Sequence, residues 1–362
     1  MLLPIIQTVC AAVLGWSAPQ LEATIVFAGD AMQHGKQLQM ADAGNGKYDF
    51  TKSFTPIKDW VSEADYAVVN LETPLGDGNF SGYPQFNAPV AYAEALKAAG
   101  FDLFLLANNH LLDRRAKGLR RTVALLDSLQ VDHIGAYSDA NYRDKTTPLI
   151  KDIKGFKVGM LNYTYGTNGI PITDNVVIDV INNDKMASDI KAIRDAGAEL
   201  VVVNIHWGEE YMLLPPASVK KIADFLSKQD VDMIIGGHPH VIQPMEVRTN
   251  SISGKPQLLV YSMGNLISNM TNPVASRGGA MVKTVIRRDD NGKAYFSTAE
   301  YMPHFTVPGK SFQDTYRVIM LPTDDKVDQD IPAEYRSIAR QWLDVVIPVF
   351  DKNNINVPRA TK

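Results

Sequence analysis

The sequence predicts an α/β protein built on a mostly parallel β-sheet, and three observations support this fold class. Two short β-branched runs, Val201–Ile205 and Val231–Ile235, have the length and apolarity of buried strands. The segment between them, Ala217–Gln229, carries apolar residues at helical spacing, which gives a strand–helix–strand unit. A later hairpin, formed by Gly279–Arg288 and Lys293–Tyr301 around an Asn-Gly turn, is antiparallel and predicts a second sheet.

The bulk composition agrees with this fold class and excludes one class of function. The chain has 362 residues, of which 45% are hydrophobic and 21% are charged, so it can bury a large core. Its net charge of −4 argues against a general nucleic-acid binder, which needs a basic surface to neutralise phosphates. We expect a main domain over residues 24–302 and a C-terminal extension over 303–362 that packs on it.

Residues 1–23 resemble a secretory signal peptide or an N-terminal anchor. Leu2–Trp16 is apolar with two polar interruptions, and small residues follow it, although no Lys or Arg precedes Lys36. The single cysteine, Cys10, follows Val9, a context that disfavours lipidation. We therefore expect export to the periplasm or cell surface, with membrane anchoring or a buried segment as the alternatives, and no disulfides or thiolate metal ligands in the mature chain.

The other elements are predicted from apolar runs and helical periodicity. The remaining strands are Thr24–Ala28, Tyr66–Val69, Leu103–Ala107, Gln130–Tyr137, Phe156–Tyr163, Gln257–Met263 and Tyr316–Leu321. Leu111–Leu129 and Pro332–Ile347 are expected to be helices. Leu75–Pro89 is a long loop, a kind that is usually functional in compact domains. Asn353–Lys362 is expected to be a loose tail.

Three of the seven histidines terminate strands of the strand–helix–strand unit: His206, His238 and His240. Ligands bind at the carboxyl ends of strands in open α/β sheets. We expect His238 and His240, at positions i and i+2 around Pro239, to lie in extended backbone and point the same way. A turn with two exposed histidines is the alternative, but the concentration of histidines favours a metal site.

Other strand ends supply more candidate ligands. Those of the first three strands are Asp30, His34, Asn70, Glu72, Asn109 and His110. Asn70 and Glu72, two residues apart, can face the same side of their strand. Imidazole nitrogens combined with carboxylate or amide oxygens, without sulfur, suit Zn²⁺, Mn²⁺ or Fe. The candidates are too many for one ion, so we expect two divalent ions with a bridging carboxylate.

Further residues near strand ends have two interpretations each. Tyr165 follows the strand Phe156–Tyr163 and either stacks on a substrate or packs at the rim. Asn265 follows another strand as a further polar candidate. His133 and His304 have no partner pattern, and we interpret both as structural.

Basic residues crowd the start of the helix predicted at 111–129. They are Arg114, Arg115, Lys117, Arg120 and Arg121. They form either a solvated helix face or a docking surface for an anionic substrate close to the site.

Six motifs in order resemble the CapA family, which is named for poly-γ-glutamate capsule synthesis and whose domain is similar to calcineurin-like metallophosphoesterases. The motifs are GD ending at Asp30, NLE at 70–72, ANNH at 107–110, HWGEEY at 206–211, GGHPH at 236–240 and YSMGN at 261–265. The likeness runs from about Ile25 to Asn269. It implies a four-layer α/β/β/α sandwich of the metallophosphoesterase type with mixed sheets.

The resemblance also implies roles for individual residues. The implied metal ligands are Asp30, Glu72, Asn109, His206, His238 and His240, with His110 as the acid that protonates a leaving oxygen. Further candidates are His34, Asn70, Asn265 and Tyr165. The sequence departs from the phosphoesterase pattern at two points: His34 lies four residues after Asp30 rather than two, and Glu72 stands where the family of phosphoesterases has an Asp.

The function implied is an exported metal-dependent hydrolase that acts on a phosphoester or similar bond in envelope or capsule polymer metabolism. One alternative is a noncatalytic component of a capsule assembly or export complex that binds anionic polymer, and another is a cytoplasmic nucleotidase. The expected partners are an anionic polymer or phosphoester substrate and envelope assembly proteins, but no nucleic acid. The intact acid His110 favours catalysis, whereas the altered positions favour a binding role.

Overall fold

The computed structural model describes residues 21–361. Most of the predicted export segment, residues 1–20, lies outside the described residues. The strands are β1 (Glu22–Ala31), β2 (Asp42–Gly44), β3 (Lys47–Tyr48), β4 (Tyr66–Leu71), β5 (Leu103–Leu105), β6 (Asp132–Ile134), β7 (Ala136–Tyr137), β8 (Leu149–Ile153), β9 (Phe156–Thr164), β10 (Val177–Ile178), β11 (Leu200–His206), β12 (Met233–Gly237), β13 (Met245–Thr249), β14 (Pro256–Val260), β15 (Asn265–Ile267), β16 (Gly278–Arg288), β17 (Ala294–Val307) and β18 (Arg317–Met320).

The helices connect these strands and flank the sheets. They are α1 (Gly35–Ala41), α2 (Thr51–Phe54), α3 (Lys58–Ser62), α4 (Val90–Ala98), α5 (Arg115–Ser128), α6 (Ala140–Thr146), α7 (Asn183–Asp195), α8 (Ala217–Lys228), α9 (Lys326–Asp330) and α10 (Ala333–Asn353), with short 3-10 turns at Thr55–Ile57 and Val274–Arg277. Among the described residues, no helix combines the length and apolarity that crossing a lipid bilayer requires.

Two mixed sheets form the centre of the molecule. The first has the order β18-β17-β16-β1-β4-β5-β6, with β15 also paired to β1. Its strands β1, β4, β5 and β6 are parallel, and the late hairpin extends it in antiparallel fashion. The second has the order β13-β14-β12-β11-β9-β8, and its four central strands are parallel. The parallel units and the antiparallel hairpin expected from the sequence are both present, but the expectation that the hairpin forms a second sheet is wrong, because β16 pairs with β1 and extends the first sheet.

Each sheet is apolar on both faces because it is covered on both sides. In β1, Ile25 and Phe27 belong to the core between the sheets, whereas Val26 and Ala28 belong to the core under the outer helices. Helices α7 and α8 cover the outer face of the second sheet. This pattern of burial explains the near-continuous apolar runs in the sequence. The expected four-layer α/β/β/α sandwich with mixed sheets is confirmed.

The C-terminal part continues the same core. Strand β17 runs through position 303, and α10 buries Trp342 and Phe350 in the core between the sheets. The expectation of a loose tail is wrong for 353–361, because Val357 and Ala360 are buried and the amide of Ala360 donates to the carbonyl of Tyr301 at 2.8 Å. The predicted helix ended at Ile347, but α10 continues to Asn353. Phe350, in this added part, contacts Tyr301 with ring centroids 4.6 Å apart.

Two elements near the candidate site differ from the prediction. The helix expected at 111–129 begins only at Arg115, whose left-handed backbone (φ 55°) separates it from turns at 110–114. The strand expected at 130–137 is divided into β6 and β7 by Gly135 (φ 95°). In both places the chain leaves regular structure where it approaches the polar ends of the strands.

The two histidines interpreted as structural lie in regular elements. His133, in β6, has its Nε2 3.1 Å from the Asp127 carboxylate. His304, in β17, is fully buried, and burial lowers its pKa to about 3. Neither belongs to a candidate metal group among residues 21–361.

Close backbone approach at Gly29 gives a test of the fold beside the site. A Cβ at Gly29 would lie 1.9 Å from the carbonyl oxygen of Gly264, the same oxygen that accepts from the amide of Asp30 at 3.0 Å. We expect Gly29→Ala to lower the free energy of unfolding by about 1–3 kcal/mol, the usual cost of overpacking. Gly35→Ala is the matched control, because nothing lies within 4 Å of its added Cβ. Equal denaturation midpoints for the two variants would contradict this reading.

Candidate metal centre

The candidate ligands meet where the carboxyl ends of strands from both sheets converge. Asp30 lies near the end of β1, and Glu72 follows β4. His206 is the last residue of β11, and His238 follows β12. A Cβ at Gly237 would lie 3.0 Å from Asp30 Oδ1, which shows how closely the two sheets approach. The parallel register therefore brings residues distant in sequence to one point.

Two groups of side chains could each hold a metal ion. One consists of Glu72, His238 and His240, and the other of Asp30, Glu72 and His206. In each group the ligand atoms lie within 4.8 Å of one another, and all the residues are buried. Glu72 belongs to both groups, which is the arrangement that a carboxylate shared by two ions requires.

Asn70 connects the two carboxylates. Its Nδ2 donates to Asp30 Oδ1 at 2.8 Å and to Glu72 Oε2 at 3.2 Å, so Asn70 and Glu72 face the same side as expected. Asn108 in turn donates to Asn70 Oδ1 at 3.1 Å. These amides fix the carboxylates without adding charge.

Asn109 joins the site from the first sheet to His206 of the second. His206 Nε2 lies 2.8 Å from Asn109 Oδ1, and Asn109 Nδ2 donates to Asn168 Oδ1 at 3.2 Å. Tyr165 stacks over His206 with its ring centroid 6.3 Å away and also contacts His238 at 4.6 Å. The structure thus places Tyr165 against the candidate ligands, and it is 43% exposed at the rim.

Asn265 orients His240. The Nδ1 atom of His240 lies 2.9 Å from Asn265 Oδ1 and 3.2 Å from Asp30 Oδ2, so this nitrogen serves as the donor. The Asn265 amide is held by Ser268 Oγ and the carbonyl of Ser276. The other ring nitrogen of His240 is left free, as a metal ligand requires.

Three buried atoms at this point have no hydrogen-bond partner among the described residues: Glu72 Oε1, His238 Nδ1 and His240 Nε2. Buried polar atoms are normally paired, and an unpaired carboxylate oxygen is especially costly. These three atoms belong to one of the two candidate groups. Their residues therefore fit a divalent cation, which would satisfy all of them at once.

Burial dominates the electrostatics of the cluster. It raises the pKa of Glu72 well above its ordinary value, and the nearby charge of Asp30 adds to this shift. Burial acts to raise the pKa of Asp30, but hydrogen bonds from His240 and Asn70 act against it, and the pKa of Asp30 lies well below its usual range. Burial and neighbouring His238 lower the pKa of His206, and burial and His240 lower that of His238 to about 3. Neutral imidazoles are the form that binds metal.

The backbone of the His-Pro-His motif corrects one prediction. His238 and His240 have left-handed backbone, with φ of 98° and 58°, so the extended conformation expected around Pro239 is wrong. The amide of His238 lies 3.3 Å from Asp30 Oδ2. Left-handed backbone is uncommon outside glycine and is found where surrounding structure imposes it, often at functional sites.

His110 forms a dyad that the sequence reading did not identify. Its Nδ1 lies 2.9 Å from Asp113 Oδ2, which also accepts from the amide of Phe86 at 2.8 Å. The Phe86 ring packs edge-on against both His110, at 4.7 Å, and His34, at 5.1 Å. The long loop 75–89 therefore contacts the candidate acid directly.

His110 and His240 line one pocket of about 200 Å³, here called the acid pocket. Tyr83, Tyr211 and His34 also line it. His34 Nδ1 lies 3.2 Å from the amide of Asn269, and His34 is in neither of the two ligand groups found among the described residues. The structure thus places His34 beside the candidate centre, facing the pocket.

The structure brings the candidate residues together, while their roles as ligands or acid stay predictions. The sequence reading missed three supporting residues: Asn108, Asp113 and Asn168. The spacing of three residues between His110 and Asp113 was a usable signal, since both lie just after a strand. Asn168 lies in a loop far along the chain and gives no such signal.

Comparison with known proteins places this chain in a family. Residues 24–270 match the family model described as bacterial capsule synthesis protein PGA_cap. The chain is 28% identical over 284 residues to the capsule biosynthesis protein CapA of Bacillus anthracis, covering 75% of this chain and 65% of that protein. It is 25% identical over 309 residues to the PGA biosynthesis protein CapA of Bacillus subtilis, covering 80% of this chain and 74% of that protein.

Among solved structures, the chain is similar to the NAD nucleotidase of Haemophilus influenzae. The TM-score is 0.51 at 13% sequence identity, and the match covers 95% of this chain and 65% of that one. At this identity the likeness shows the fold alone, and it confirms the sandwich type expected from the sequence. Because the family model spans most of the chain and the CapA proteins match in sequence, this protein belongs to the PGA_cap family of bacterial capsule synthesis proteins.

Proposed function

We propose that this protein is an exported hydrolase that depends on two divalent ions and cleaves a phosphoester-type bond in capsule or poly-γ-glutamate metabolism. One observation carries the proposal: Glu72, His238 and His240 each have a buried ligand atom without a hydrogen-bond partner among residues 21–361, beside the His110–Asp113 dyad. Cation-binding atoms and a proton donor are the two parts that metal-assisted hydrolysis needs.

The proposed ligands are those of the two groups together with Asn109, and the ions are Mn, Zn or Fe. When bound, such ions would supply an activated water and positive charge for the phosphoryl oxygens. The proposal extends the capsule role in the relatives' names to this chain. The expected partners are an anionic polymer or phosphoester and envelope assembly proteins.

The protein's own residues define the acid step. Asp113 Oδ2 holds His110 Nδ1, which leaves Nε2 as the atom that gives its proton to the leaving oxygen. Phe86 restricts the imidazole ring from one side. Asn265 keeps His240 in the tautomer with a free Nε2.

A noncatalytic polymer-binding role is the second candidate. It is favoured by one observation: His34, which replaces the histidine of the phosphoesterase D-x-H pattern at a different spacing, lies outside both ligand groups among the described residues. In that case the ions and the fold would be retained, and turnover would be absent for every ester.

We expect the purified wild-type protein to carry about two divalent ions per chain, and His238→Ala or His240→Ala to lose bound ion. Because ligand binding stabilises only the folded form, chelation should lower the melting temperature of the wild type by more than that of these variants, which keep only the ligand group of Asp30, Glu72 and His206 intact. Elemental analysis and thermal unfolding measure both effects. His133→Gln is the control and should keep its ions. A wild type without ions after growth in metal-supplemented medium would refute the metal proposal.

We expect His110→Ala to keep its ions and fold while turnover of an ester with an alkoxide leaving group falls by about 10²–10⁴. Hydrolysis of a nitrophenyl ester should fall far less, because nitrophenolate departs without a proton. Asp113→Asn should show the same substrate dependence to a smaller degree, since Asp113 only orients the ring. If His110→Ala strips the metal, or slows both esters equally, His110 is not the acid.

We expect the mature protein outside the cytoplasm, with cleavage before Glu22. The Glu22 carboxylate pairs with Arg287 at 2.9 Å and Ala23 is fully buried, so cleavage after Ala18 preserves β1 whereas cleavage after Ala23 removes its first residues. Cell fractionation and mass spectrometry of the N-terminus test this. Soluble cytoplasmic protein that retains Met1 would instead support the nucleotidase alternative.

A further inference from the structure

A second pocket adjoins the acid pocket. It has a volume of about 540 Å³ and is here called the side pocket; its lining includes Tyr83, Asp113, Arg114 and Asn168. Tyr83 lines both pockets, and Asp113 of the side pocket bonds His110 of the acid pocket. A group bound in the side pocket would therefore lie next to the residues that support the reaction.

We propose that the side pocket binds an anionic group of the substrate, a carboxylate or a phosphate, through Arg114. This inference rests on the proposed function, because it assigns the substrate class of the same site. Arg114 is the only lysine or arginine that lines either pocket in the described part of the chain. An anion bound close to His110 would therefore depend on Arg114 for a positively charged partner.

The other basic residues at the start of α5 have different contacts. Lys117 pairs with Asp77 at 3.3 Å on the exposed surface, and Arg120 donates to the carbonyl of Asp174. Of the basic residues that the sequence predicted as a possible docking surface, only Arg114 lines the acid pocket or the side pocket in the described part of the chain.

The guanidinium of Arg114 is only partly satisfied. Its Nη2 donates to Ser81 Oγ and to the carbonyl of Gln85, but its Nε is buried and has no partner among the described residues. Asp113 uses its Oδ2 for His110 and Phe86, and Arg114 forms no ion pair within residues 21–361. A buried donor of a charged group is costly when unpaired, and guanidinium binds carboxylate and phosphate oxygens with two donors.

The position of this side chain depends on Gly118. A Cβ at Gly118 would lie 2.2 Å from the Cβ of Arg114, so any larger residue there would displace the arginine stem. The close contact at Gly118 therefore limits the positions that the Arg114 side chain can take in the side pocket.

The test compares three aryl phosphates with the metal-loaded, full-length protein: para-carboxyphenyl phosphate, para-carbamoylphenyl phosphate and para-phenylene bisphosphate. The first and third add an anion, and the second is the uncharged counterpart. The measured quantity is the ratio of kcat/KM for each anionic ester to that of the uncharged ester. In Arg114→Gln we expect this ratio to fall about tenfold through KM, the size expected for a charge-assisted contact. Arg114→Lys should keep part of the preference, and the anion with the larger wild-type ratio identifies the group.

Lys117→Gln is the matched control. It removes a positive charge from the start of α5, but Lys117 lies on the exposed surface and lines neither pocket, so the ratio should stay unchanged. Gly118→Ala should lower the ratio without removing the charge. An unchanged ratio in Arg114→Gln, or an equal fall in Lys117→Gln, would overturn the proposal, because the preference would then not depend on a contact with Arg114.

The two proposals can fail separately. If no ester is hydrolysed, the hydrolase function fails, and calorimetric titration of the same three compounds onto the metal-loaded protein gives the ratio of Kd values instead. Tighter binding of an anionic compound that is lost in Arg114→Gln supports the side pocket. Equal binding of charged and uncharged compounds overturns it.

Discussion

The structure depends on two carboxylates, Asp30 and Glu72, that are fully buried at the junction of the two sheets. Burial is the main reason why the pKa of Glu72 is raised so far, and the like charge of Asp30 adds to this shift. Asn70 bridges them with an amide that carries no charge. A cation would compensate the negative charge that remains. It would bind at the atoms of Glu72, His238 and His240 that have no hydrogen-bond partner among the described residues.

The sandwich meets this constraint by holding strand ends of both sheets at fixed distances. Asn109 and His206 connect the sheets at 2.8 Å, and the amide of Ala107 donates to Asn162 Oδ1, also at 2.8 Å. Glycine makes the approach of the two sheets possible at Gly237, where a Cβ would lie only 3.0 Å from Asp30 Oδ1 of the first sheet. Ligands held by strands in this way need little reorganisation when an ion binds.

The sequence was informative wherever a local pattern decides the structure. Buried strands covered on both faces must be apolar throughout, so their runs could be identified directly, and polar residues just after such runs had to lie at the carboxyl edge of a sheet. The division of these strand ends between two sheets, rather than one, depends on long-range strand pairing that no local pattern shows. The family resemblance then supplied the layer order.

Local sequence patterns failed to predict the structure where long-range contacts decide the backbone conformation. The left-handed conformations of His238 and His240 depend on contacts with β1, and the helix predicted from position 111 is delayed to Arg115 because 110–114 build the dyad. The burial of Val357 likewise depends on a surface formed by distant strands.

The arrangement separates chemistry from substrate choice. The candidate ligands lie on strand ends, whereas the loop 75–89 reaches across them: Phe86 contacts His34 and His110, and Ser81 holds Arg114. Under the proposed function, an anion held by Arg114 would lie beside Asp113, which contacts His110, and the same loop contacts His110 through Phe86. Changes in the loop would then alter which substrate binds while the cluster around Glu72 stays intact. His34 belongs with the loop in this respect: it contacts Phe86, lines the acid pocket and is in neither ligand group among the described residues, so the strand ends that hold the other candidates do not depend on it.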